Sequence, residues 1–129
     1  MRLKKTTYVD FKKWFENCRD LVQIYRSDNS LTMEMEWALL QNYKSLSVIV
    51  DEYNKQVQFL IQKYGTLQSD GTRKLDTTSN VVMELYNKEL NELRNKKVNI
   101  KIETINHKSL KGIKGVTLET MLLLDFMIE

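Results

Sequence analysis

The sequence predicts an α+β fold dominated by helix, with an antiparallel helical core around one long central helix and a small two- or three-stranded sheet. Three observations predict it. Leu39, Tyr43, Leu46, Val50, Tyr53, Val57, Leu60 and Tyr64 follow one another at alternating spacings of four and three, which places all of them on one stripe of a single helix. Proline is absent and glycine occurs four times in 129 residues, so little interrupts long helices. Val98, Ile100 and Ile102 alternate with Asn99, Lys101 and Glu103, the two-residue period of a half-buried strand.

Length fits one domain, residues 1–129, large enough to bury one real core. Hydrophobic residues at 42% and charged residues at 29% place the chain among ordinary globular proteins. The one cysteine, Cys18, excludes an intramolecular disulfide, and no Cys/His spacing points to a structural zinc. No apolar run follows the charged start, so no signal peptide is expected. The most apolar segment, residues 118–128, has about half the length a bilayer span needs. No membrane association is expected, and the expected location is cytoplasmic.

Taken in order, residues 2–6 form a candidate edge strand. A first helix is predicted over 7–27, with Thr7 as cap, Asp10 in its first turn, and Phe11, Trp14, Phe15, Cys18, Leu21, Val22 and Tyr25 on one face. The polar turn at 27–30 makes this helix an antiparallel neighbour of the next. The central helix starts near Thr32, with Glu34 and Glu36 against its N-terminal dipole. Leu40, Ile49 and Ile61 flank its stripe, widening the buried face. Gly65 is expected to end it in a left-handed conformation. Residues 66–79 read equally as a small hairpin, with Asp70-Gly71 as a two-residue turn, or as an ordered loop.

A third helix is predicted over 80–96, capped by Thr78 or Ser79, with Val82, Tyr86, Leu90 and Leu93 as its stripe. The alternating strand follows, and it needs a partner; residues 2–6 are the obvious candidate, with the 66–75 hairpin or a symmetry mate as alternatives. After a loop at 107–114, a last helix runs over 117–127 from its cap at Thr117. Apolar residues surround it almost completely, so it must be covered by its own domain or by a second subunit.

Enzyme chemistry finds little material. His107 is the only histidine and reads as a solvated loop residue; Cys18 reads as a buried, inert thiol. Glu89 and Glu92 with Lys88 and Lys96 read as ordinary solvated helix pairs. Tyrosines 25, 43, 53, 64 and 86 all lie on helical stripes and read as core packing. No phosphate loop, nucleophile elbow or H-E-x-x-H pattern is present, so the expectation is no enzyme, no metal and no cofactor.

Charge is the sharpest functional signal. Net charge is +3, yet residues 94–115 hold seven Lys/Arg against one acid, and the last fourteen residues hold three acids and no base. With Val98, Ile100 and Ile102 inward, Lys97, Asn99 and Lys101 face outward. If residues 2–6 pair beside them, Arg2 and Lys4 are expected to join that surface while Leu3 points to the core. Lys108, Lys111 and Lys114 extend the patch. This set (Arg2, Lys4, Lys97, Lys101, Lys108, Lys111 and Lys114) is the candidate partner-binding site, suited to an acidic protein surface or to phosphate. It lacks the interleaved aromatics of single-strand binders.

Glu52-Tyr53-Asn54, residues 61–65 (IQKYG), Ser69-Asp70-Gly71, residues 86–93 (YNKELNEL), residues 98–102 (VNIKI) and the closing Leu-rich helix resemble a family of small phage and prophage proteins without assigned activity. The resemblance covers a little over half of the chain. The N-terminal third departs from it, because a proline-containing helix start is common there and this chain has none. The resemblance implies a phage setting and supplies no catalytic residues. The expected function is therefore a non-enzymatic interaction protein that binds a host or viral protein or joins a larger assembly, in the bacterial cytoplasm or the virion. Binding of nucleic acid or a phosphate-bearing small molecule through the basic patch is the alternative. Self-association fits either.

Overall fold

A computed structural model describes residues 2–25, 31–112 and 117–129. Among them the order is β1 (Arg2–Thr7), α1 (Tyr8–Tyr25), α2 (Met33–Tyr64), β2 (Thr66–Leu67), β3 (Arg73–Lys74), α3 (Asn80–Arg94), β4 (Lys97–Ile102), a 3-10 turn (His107–Gly112), α4 (Leu118–Leu124) and a closing 3-10 turn (Asp125–Met127). The fold is α+β and mainly helical. The predicted turn at 27–30, the end of the first predicted helix and Lys114 lie outside the described residues.

The long helix carries the molecule. Thr32 caps it, its hydroxyl accepting from the Met35 amide at 3.3 Å. Every residue of the 4-3 seam is buried or half-buried, and Leu46, fully buried, contributes about 1.5–3 kcal/mol by leaving water. Leu40 departs from expectation. It is exposed, because it stands one step, about 100°, around the helix from Leu39. Gly65 is also not left-handed: its φ of −79° and ψ of 153° lead straight into β2. Glycine is needed there for space, since a Cβ would collide with the Ile61 carbonyl oxygen and press on Arg73.

α1 packs antiparallel along α2. Tyr8 meets Tyr53 with ring centroids 5.5 Å apart, and Phe15 stacks on Tyr43 at 5.0 Å. Phe11, Cys18 and Leu21 are fully buried, whereas Val22, expected on the same face, is exposed one step around the helix. The hairpin of β2 and β3 exists, but its loop is longer than two residues: Gln68 and Thr72 close it at 2.7 Å, and Gly71 takes the positive φ of 85°. Ser79 caps α3 by accepting from the Val82 amide. Two clusters fill the interior. One joins α1, the first half of α2, β4 and the C-terminal segment around Leu124 and Met127; the other joins Tyr8, Leu60, Tyr86 and Leu93.

β1 and β4 pair as predicted, and they run antiparallel. Asn42 ties their end to α2. Buried mid-helix, it accepts from the Glu103 amide at 2.7 Å and donates to the Glu103 carbonyl at 2.9 Å, so its side chain continues the ladder where β4 stops. α4 is shorter than predicted and gives way to the 3-10 turn. Leu124, Phe126 and Met127 are buried, while Leu118, Met121 and Leu122 remain exposed.

Candidate functional site

The register of the small sheet redraws the predicted basic surface. Residues directly opposite in an antiparallel pair share a face. Arg2 lies opposite Ile102 and Lys4 opposite Ile100, so both belong to the side that carries the core isoleucines. Leu3 lies opposite Lys101, and it is exposed at 64% rather than buried. The placement of Arg2 and Lys4 beside Lys97 and Lys101 is therefore corrected. Lys5, opposite Asn99, is the β1 lysine that shares their face. The two-residue alternation was right for β4 and shifted by one in β1, where no apolar pattern constrains it.

Lys97, Lys101 and Lys5 thus form the outer sheet face with Leu3, Thr7 and Asn99. Lys108 is exposed on the 3-10 turn that also contains Lys111. Among the described members of the predicted set, Lys97 and Lys101 share the outer face of the sheet, and Arg2 and Lys4 share the opposite one.

A second basic site was not visible in sequence. Lys12 and Lys13 of α1 and Arg94 at the end of α3 line a groove of about 500 Å³, together with Val9, Tyr53 and one acid, Glu16. It gathers three cations from segments some eighty residues apart, so charge counting along the chain misses it.

An exposed apolar stripe lies on α2. Met33, Trp37, Leu40 and Val48 are exposed by 84, 53, 48 and 67%. Their spacing, completed by exposed Lys44, puts them on the side of the helix turned away from the buried seam. Contiguous exposed apolar stripes of this kind mark interaction sites more often than single scattered residues do. From sequence, Leu40 belongs to the widened buried face and Trp37 has no surface role.

Burial pushes the Cys18 thiol up to about 12, which leaves it protonated and unreactive. Tyr8, buried at the start of α1, donates to Glu52 at 3.1 Å; burial first, then the Glu52 carboxylate, raises its pKa. Glu89 pairs with Lys63 of α2 at 2.9 Å, not with its own helix, and that bond holds its carboxyl below the usual range. Among the described residues no group of three His, Cys, Asp or Glu could hold a metal, and no helix is long and apolar enough to cross a membrane. Compared with protein-family models, with curated proteins and with solved structures, the chain finds no match.

Proposed function

We propose that this chain is a non-enzymatic interaction protein of phage type, acting in the bacterial cytoplasm or the virion by binding a host or viral protein or by joining a larger assembly. The observation that carries the reading is the outer face of the first half of α2. Four large apolar side chains stand exposed there, including a tryptophan, and such aromatic anchors dominate protein interfaces. The test is capture from a nuclease-treated bacterial lysate by the wild-type chain and by Trp37→Lys. One protein recovered in stoichiometric amount by the wild type and lost in the variant, or equal loss of self-association, supports it. Identical behaviour of the two chains removes this face from the reading.

The groove of Lys12, Lys13 and Arg94 favours a second reading, a binder of nucleic acid or of a phosphate-bearing small molecule. Tyr53 offers a ring beside the cations, which the outer sheet face lacks. Binding of a single-stranded oligonucleotide that weakens steeply with added salt, and that Arg94→Glu abolishes while Lys97→Glu/Lys101→Glu spares, is the expected signature. Salt-independent or absent binding ends this reading.

A further inference from the structure

Resting on the interaction reading, we infer that the occupant of the outer face of α2 is a second copy of the same chain, packed antiparallel across a two-fold axis beside Leu40. The stripe runs from Met33 to Val48, and its midpoint falls between Leu40 and Gln41. Two such stripes overlap over their whole length only if the axis passes there. Met33 of one copy then meets Val48 of the other, Leu40 lies near its own symmetry mate, and Trp37 faces the partner's Lys44. A two-fold pair of this kind is the commonest closed assembly, and it uses one patch twice.

Charge decides the direction. Glu34 and Glu36 flank the stripe at its start, Lys44 sits within it near its end, and all three are exposed. Antiparallel packing brings each Lys44 to the partner's acidic first turns and over the partner's Trp37 ring, a favourable cation–π geometry. Parallel packing would set lysine against lysine and glutamate against glutamate, which repels. Among the described residues Lys44 has no ion pair of its own to give up. The two copies of Trp37, one on each side of the axis, are the expected hot spots.

Site-directed crosslinking tests this on the full chain, because buried Cys18 is a built-in silent cysteine. Leu40→Cys, Met33→Cys, Val48→Cys and the double variant Met33→Cys/Val48→Cys are treated with a short bismaleimide; all these positions are exposed, so the core is untouched. Antiparallel pairing joins Leu40→Cys and the double variant into covalent dimers. It leaves Met33→Cys and Val48→Cys single, since their symmetry mates stand about 22 Å apart at 1.5 Å per residue. Equal crosslinking of every single variant means parallel packing and overturns the proposal. No crosslinking of any variant overturns it as well. If the chain is then monomeric but captures another protein that Trp37→Lys loses, self-pairing has failed and the interaction reading stands. If Trp37→Lys changes nothing, both have failed.

Discussion

In the second half of α2 the positions turned away from the core are Asp51, Lys55, Gln58 and Gln62, all exposed. In the first half the equivalent positions, at the same four-three-four spacing, are Met33, Trp37, Leu40 and Lys44, with Val48 one turn on. The inner seam is the same in both halves and is covered in both. The fold therefore accepts polar residues on the outer face in the second half, and among the described residues the apolar ones of the first half are exposed as well. Phe59, exposed at 70%, is the one large apolar residue near this face in the second half, and it borders the groove between α2 and α3. On the proposed reading, the difference between the halves reflects what packs against the chain from outside.

Leu46→Ala, in the seam, should lower unfolding free energy by about 2–5 kcal/mol in a denaturant titration. Asn42→Ala removes both bonds to the Glu103 backbone and should cost about 1–3 kcal/mol, with amide exchange of β4 accelerated first. Alkylation of Cys18 should track unfolding. Its folded pKa is raised, so the stability this thiol contributes is fully present below the free-thiol value of about 8.5. That contribution is lost as pH rises toward about 12. A thiol that reacts at the native rate of an exposed cysteine near pH 8 contradicts the burial.

On the outer face the expected stability effects are small. Leu40→Lys should change monomer stability by no more than about 0.5 kcal/mol, measured on dilute protein, while abolishing concentration-dependent association; Lys55→Ala should change neither. Smallest of all is Lys63→Ala, which breaks an exposed pair. Because the Glu89 carboxyl sits low in the folded state, the contribution of that pair is present above the free carboxylate value and fades as pH falls through the folded one. In Lys63→Ala that acid-side slope should flatten, without a change near neutral pH.

Much of this fold was legible because its signals were strong and local. The seam of α2, the caps at Thr32, Ser79 and Thr117, and the alternation of β4 each state a local geometry that packing then kept. The site was less legible. β1 reads Arg-Leu-Lys-Lys-Thr-Thr, with a single large apolar residue, so nothing in it announces which face meets the core; the register sent Leu3 outward and Lys4 inward. Leu40 was hidden by its own neighbours, because Ala38 and Leu39 beside it are buried and a strongly apolar stretch reads as core on every side; Trp37, off the seam, falls on no predicted face. The groove of Lys12, Lys13 and Arg94 depends on tertiary contact between α1 and α3, which no spacing along the chain encodes.

The most direct test of the apolar half of α2 as an interface is the solution mass of the wild-type chain and of Trp37→Lys, by light scattering across a concentration series. A wild-type mass climbing from 15.3 kDa toward twice that value, with the variant held at the monomer mass throughout, is the expected result. A wild type that stays at 15.3 kDa at every concentration, or a variant that climbs with it, contradicts the pairing.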